Sequence, residues 1–279
     1  MTITRKYYDT GHIKFERYYV NNKLHREDRP ASINYYKNGN VKLEIYFLNN
    51  KKHRAKLPTE IEYYENGNIK SQTYYNNNNV HREDGPAKTF YYDNNNIQRE
   101  YYCVNQAFHR ENGPADIHYY KNGNIKQKYY YKNDILHKDD GPAYIRYDID
   151  GNIQTEQYYV KGELHREDGP AHIDYYNNGK VKLKQYCING EWHREDGPSC
   201  IQYNKNGSIK TRNYYLNGYQ VNMDKYSNIN YNKLINFITQ YDSTEDLLEL
   251  KLITNIQFKN EKQHLLELIE SKIMMLKLL

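Results

Sequence analysis

A period of 28 residues governs this chain: a block close to His-Arg-Glu-Asp-Gly-Pro-Ala opens at His25, His53, His81, His109, His137, His165 and His193. All seven prolines, from Pro30 to Pro198, fall on the same grid, so nothing is inserted between copies and each fills the same structural slot as the last. A unit this short cannot bury an apolar face alone and must stack on its neighbours. The grid therefore predicts an array and places function on an extended surface, not in a single pocket.

Inside a copy the pattern is that of a β-hairpin. Ala31 to Tyr36 alternates, Lys37-Asn38-Gly39 is a turn signal, and Asn40 to Phe47 alternates again. A three-residue loop with Gly39 in the left-handed position pairs Tyr35 with Val41, Ile33 with Leu43 and Ala31 with Ile45. One face is then wholly apolar, and Asn34, Lys42, Ser32 and Glu44 form the solvated one. The turn recurs at Gly67, Gly123, Gly151, Gly179 and Gly207, with Asn95 as the residue best able to replace glycine there. A second turn, such as Asn21-Asn22 or Asn189-Gly190, returns the chain to the His-Arg block; a two-residue loop there sets Tyr19 against Leu24 and Cys187 against Trp192. The expected fold is all-β, a single twisted antiparallel meander of stacked hairpins over residues 1–220 with a partial first unit.

After residue 220 the composition shifts to Leu and Ile. Leu234, Ile235, Phe237, Ile238 and Tyr241 share a helical stripe, Ser243 with Asp246 reads as a helix start, and so does Asn260 with Gln263. Residues 221–279 are thus expected to form a small α-helical cap that covers the open sheet edge. Ile273, Met274, Met275 and Leu276 are the candidate docking patch there, for a partner or for a second copy of the chain.

Gly162-Glu-Leu-His-Arg-Glu-Asp-Gly-Pro-Ala171 followed by Tyr175-Tyr-Asn-Asn-Gly179 resembles the MORN repeat. It is most similar to the variant with paired tyrosines before Asn-Gly, found in bacterial antitoxin-like proteins and in repeat proteins of giant DNA viruses of amoebae. The resemblance covers residues 7 to 220. It implies a curved sheet of hairpins that serves as a protein-interaction scaffold, in some members at phospholipid membranes, and for this chain a viral setting in host cytoplasm or virion. The unit here is longer than the usual one by its polar His-Arg-Glu-Asp turn, so the lipid role transfers poorly.

The candidate positions are the repeated pairs His25-Arg26, His53-Arg54, His81-Arg82, His109-Arg110, His137-Lys138, His165-Arg166 and His193-Arg194. One histidine per unit does not converge on an ion, and the second copy, His53-Arg-Ala-Lys-Leu-Pro58, carries no carboxylate, so neither metal nor cofactor is expected. Near-identical copies also argue against catalysis, which needs a singular constellation. Two readings stay open: these residues brace the turn, or they form a row that meets an acidic partner.

Tyr36, Tyr64, Tyr92, Tyr120 and Tyr176, with Tyr46 and its equivalents, are expected to point away from the apolar face and to cover one another along the sheet. Cys103 and Cys187 share the slot of Tyr75, Tyr131 and Tyr159 and read as core; Cys200 has no assignment. The net charge of +5 is spread too thinly to make a strong field. No run approaches the roughly 20 apolar residues of a membrane span, and Met1-Thr-Ile-Thr-Arg-Lys-Tyr lacks the apolar stretch of a signal peptide. A soluble, cytoplasmic, non-enzymatic scaffold with an unknown protein partner is the expectation. The alternative is a binder of nucleic acid or anionic lipid through its Lys, Tyr and His-Arg rows.

Overall fold

Each 28-residue copy folds around two turns of different construction. In the first, the Gly39 N–H donates to the Tyr36 carbonyl at 3.1 Å and the Tyr36 N–H donates to the Asn40 carbonyl at 2.8 Å, which makes a three-residue loop with Gly39 at φ 90°. Asn95 takes the same left-handed slot at φ 67°. In the second, Asn21 and Asn22 both lie at positive φ, 49° and 60°, and Tyr19 sits opposite Leu24. The Cys187–Trp192 pair repeats that register.

The computed structural model describes residues 1–76, 78–226, 229–241, 243–258 and 262–278. It divides into two compact units, Met1–Ile153 and Gln154–Leu279. In the first, Thr2–Tyr7, Ile13–Val20, Ser32–Tyr35, Val41–Ile45, Glu60–Tyr63, Ile69–Thr73, Lys88–Tyr91, Ile97–Tyr101, Asp116–Tyr119, Ile125–Tyr129 and Tyr144–Tyr147 pair in chain order, all antiparallel. The second unit holds the same kind of meander: residues 154–157 of the strand Ile153–Gln157, then His172–Tyr175, Val181–Gln185, Cys200–Tyr203, Ile209–Leu216 and Tyr219–Val221. Two-residue strands such as Phe47–Leu48 and Lys51–Lys52 make a minor hairpin in each copy.

The register departs from expectation at one point, and the departure exchanges the faces. Tyr35 does pair with Val41, but the next pairs are Asn34 with Leu43, Ile33 with Glu44 and Ser32 with Ile45. Lys42 is the extra residue of a bulge, and because side chains alternate with period two, one extra residue sends everything beyond it to the opposite side. Ile33 therefore lies with Glu44, not with Leu43. Ala31, Ile33, Tyr35, Val41, Glu44 and Tyr46 form one face, and Ser32, Asn34, Leu43 and Ile45 the other. Tyr46, expected to point away from Ile33, is on its side and buried, and so is Tyr18.

Three helices follow the strands of the second unit: α1 (Tyr231–Gln240), α2 (Thr244–Gln257) and α3 (Lys262–Leu278). The Asn230 side chain caps α1 by accepting from the Lys233 N–H at 3.0 Å. Ser243 caps α2 and exchanges hydrogen bonds with Asp246, as its sequence predicts; Asn260 lies outside the described residues. Leu234, Ile238, Leu247, Leu250, Ile253, Leu265 and Ile269 form their core. The opposite side of α2 sends Leu252 against Leu216 and Val221 on the last hairpin, with Leu248 and Ile256 beside it. Lys251 and Asn255 reach Glu195 in the last His-Arg block, at 2.9 and 2.8 Å. Burying a leucine there stabilises by about 1.5–3 kcal/mol, enough to hold the helices on the hairpin.

Candidate functional site

Every His-Arg block ties its own repeat to a tyrosine eight residues upstream. The Arg26 guanidinium lies 4.1 Å from the centroid of Tyr18, and Arg54, Arg82, Arg110, Arg166 and Arg194 lie 3.8–4.0 Å from Tyr46, Tyr74, Tyr102, Tyr158 and Tyr186. Lys138 does the same over Tyr130 at 4.4 Å. Beyond the ring, Arg82, Arg166 and Arg194 bond Asp84, Asp168 and Asp196 at 2.7–2.8 Å. Arg54 has no acid in its block and donates to the Pro58 carbonyl at 3.2 Å.

The histidine reaches forward. The backbone N–H of Asn105 donates to His81 Nδ1 at 3.2 Å, and that of Asn217 to His193 at 3.2 Å; Asn49 and Asn189 make the same bond to His25 and His165. An Nδ1 that accepts leaves the ring proton on Nε2, which faces Glu83 at 3.6 Å in the case of His81. His109 differs, with a buried Nδ1 that has no hydrogen-bond partner among the described residues. The structure thus turns these histidines and arginines inward. What the blocks leave in water is carboxylate: Glu27, Glu83, Asp84, Glu167 and Asp168 are each more than 80% exposed.

Tyrosines bind repeat to repeat on two further lines. The hydroxyls of Tyr36, Tyr64, Tyr92, Tyr120 and Tyr176 donate at 2.8–2.9 Å to the carbonyls of Tyr63, Tyr91, Tyr119, Tyr147 and Tyr203. Tyr35, Tyr63, Tyr119 and Tyr175 donate to the carboxylates of Glu16, Glu44, Glu100 and Glu156 at 2.6–2.9 Å. Burial first, and these carboxylates second, push the four phenols well above the usual tyrosine range. Rings held this way are not an exposed stacking ladder.

One face repeats and the other does not. On the Ile33 face, the Tyr35 and Tyr46 slots hold tyrosine in every copy, and the Ile33 slot holds isoleucine except at Thr89. On the opposite face, the Ser32 slot holds Ser32, Glu60, Lys88, Asp116, Tyr144, His172 and Cys200, and the Asn34 slot holds Asn34, Glu62, Phe90, His118, Arg146, Asp174 and Gln202. Each of those slots carries a different residue in all seven copies. Cys200 is simply its copy's entrant. Cys103, Cys187 and Cys200 are free and buried, and burial pushes the first two thiols up to about 11, away from reactivity.

The variable face is singular within Met1–Ile153, where Lys88, Tyr101, Asp116, Tyr129 and Tyr144 stand opposite one another across five strands. The next row holds Phe90, Arg99, His118, Gln127 and Arg146. Arg99 bonds Asp116 through Nε and Nη2, both at 2.8 Å, and His118 Nε2 lies 3.2 Å from the same carboxylate. Burial works to raise the Asp116 carboxyl, but His118 and Arg99 more than offset it and hold the group below the usual carboxylate range. Around it runs an unbroken chain of rings: Phe90, Tyr101, Phe108, Tyr131, Tyr129 and Tyr144, with centroids 4.8–6.3 Å apart. All six are half-buried.

At the carboxy end, Ile273 and Leu276 pack on the helical core, whereas Met274 and Met275 are 64% and 57% exposed. No His, Cys, Asp or Glu cluster suited to a metal occurs among the described residues, and no helix there is long and apolar enough to cross a membrane.

A family model described as the MORN repeat variant matches residues 3–21, 31–49, 59–77 and 117–133. The first three matched segments cover the main hairpin of a copy, stop before the second strand of the minor hairpin and leave out the His-Arg block. Repeats of that family often mediate protein or membrane interactions and are generally non-enzymatic. No curated protein matches the chain. Among solved structures, one titled a crystal structure of TcdB2-TccC3-TEV aligns at 11% identity over 82% of this chain and 16% of that one, with a TM-score of 0.17. The chain spans under a fifth of that protein, and a likeness this shallow carries no argument.

Proposed function

We propose that these MORN-like hairpins make a non-enzymatic scaffold that recognises a protein partner through the face on which the copies differ. The observation that carries this reading is the division of labour between faces. The tyrosines, the carboxylates of Glu16, Glu44, Glu100 and Glu156 and the His-Arg blocks of the constant face and its edge are engaged in holding copies together. Side chains in the Ser32 and Asn34 slots meet their neighbours differently in each copy, as Asn34 meets Arg17, Asp116 meets Arg99 and Asp174 meets Thr155, and their seven-fold diversity supplies charge, rings and hydrogen-bonding groups at fixed strand intervals. The resemblance to repeat proteins of giant viruses makes a virus-encoded protein of host cytoplasm or virion our reading of its setting.

The test exchanges slots without touching the constant face. A variant carrying Lys88→Ser, Phe90→Asn, Asp116→Ser and His118→Asn reproduces the first copy's residues in two later ones. It should stay folded by circular dichroism, with the fall in melting temperature that loss of the Arg99–Asp116 pair brings, and lose proteins that the parent chain captures from extracts of its source cells. Capture of the same set by both chains would sink the reading. Retention of nucleic acid or anionic vesicles, fading steeply with salt, would instead favour the alternative through the Lys rows.

A further inference from the structure

The strip between Lys88 and Arg146 has a chemistry that narrows the kind of partner. Its rings are ridges, not a platform: Phe90–Tyr101, Tyr101–Phe108 and Tyr129–Tyr144 are inclined at 49°, 58° and 37°. A flat stack for nucleobases needs near-parallel faces, which only Tyr129–Tyr131, at 22°, approaches. Inclined rings in contact make a ridged apolar surface.

The pitch is set by the repeat. Tyr101 and Tyr129 occupy the same position in consecutive copies and stand two strands apart with Asp116 between them, so these rings recur at about 9.6 Å. A polyproline II helix presents the same side every three residues, or about 9.3 Å. The mismatch is about 0.3 Å per turn, so such a ligand stays in step across the strip.

The polar groups are of the matching sense. A proline-rich segment offers carbonyl acceptors and few N–H donors, so its site must donate. Asp116, the one carboxylate in the two central rows, is consumed by Arg99 and His118 and is only 4% exposed. Arg99 uses Nε and Nη2 on it, which leaves Nη1 to point elsewhere, and its side chain is 33% exposed. Lys88 stacks on Phe90 at 4.6 Å and Arg146 is exposed at the far end of the strip. Burial pushes the phenols of Tyr101 and Tyr129 up to about 12, so both hydroxyls stay protonated.

We infer that this strip is a docking site for an extended proline-rich segment of a partner protein, lying across the strands with prolines packed on the outer faces of the Tyr101 and Tyr129 rings and its carbonyls toward Arg99 and Lys88. This rests on the scaffold reading and names its ligand class.

The full chain titrated into fluorescein-labelled dodecaproline should give saturable anisotropy. A Gly-Ser peptide of equal length should not bind. Tyr101→Ala and Tyr129→Leu should each weaken binding tenfold or more, while Gln202→Ala, on the same face in the other unit, should leave it unchanged; Tyr129→Leu keeps apolar volume, so circular dichroism should show a folded chain. No saturation at millimolar protein, equal binding by Tyr129→Leu, or tighter binding of a U12 oligonucleotide or cellohexaose than of dodecaproline would each overturn the inference. The scaffold reading would survive that failure, because it falls only if exchanging the variable slots leaves the captured proteins unchanged.

Discussion

At the scale of the residue, stability is concentrated in tyrosines that each do two jobs, filling the constant face with a ring and spending a hydroxyl or a π-face on a neighbour. Tyr46 is 8% exposed and carries Arg54 on its ring, so Tyr46→Ala should cost about 3–5 kcal/mol, read as a fall in the urea midpoint. Arg166→Lys should cost under about 1 kcal/mol, since Lys138 already occupies that place over Tyr130. Asp116 sets the acid behaviour. Its folded carboxyl is held below its unfolded value, so its contribution is present above about pH 4 and is lost as pH falls further. Glu16 titrates in the same sense: burial raises it, and Arg5 and Tyr35 more than reverse that. Asp116→Asn should therefore lower stability by about 1–3 kcal/mol at neutral pH and flatten the loss seen in urea midpoints between pH 5 and 3. An unchanged slope would show that the Arg99–Asp116 contact contributes nothing.

At the scale of the element, both turns were legible because their chemistry is local. Gly39 and Asn21-Asn22 carry the positive φ values that their residue types announce, and Ser243 with Asp246 starts α2 as written. Gly123→Val, at φ 93°, should cost about 1–3 kcal/mol by thermal melting, and Gly123→Asn clearly less, as Asn95 shows. The bulge was not legible. Lys42 has no glycine to mark it, and treating it as an ordinary strand residue makes Ile33, Leu43 and Ile45 look like one apolar face. That slip hid the variable slots, although writing the copies beneath one another shows seven different residues at the Ser32 slot beside unbroken tyrosine at the Tyr35 slot. The Arg99–Asp116–His118 group was missed for the same reason: its members are adjacent only in the true register.

At the scale of the whole molecule, the 28-residue unit makes a sharp prediction within Met1–Ile153. Removing residues 59–86 should leave a folded, shorter chain, because Thr59 and Ala87 fill the same buried slot. Removing 14 residues from the same region should leave an aggregated product, because it joins strands whose faces disagree; equal tolerance of both deletions, by gel filtration and circular dichroism, would refute the unit. Constancy on one side of the sheet also bears on descent. A gene for such a chain can lengthen by tandem duplication of one copy, and the newcomer arrives with its tyrosine frame complete. Its Ser32 and Asn34 positions then drift while the tyrosine frame stays in place. A change of specificity needs no new scaffold, only a rewriting of two letters in one line of a text whose grammar is kept elsewhere.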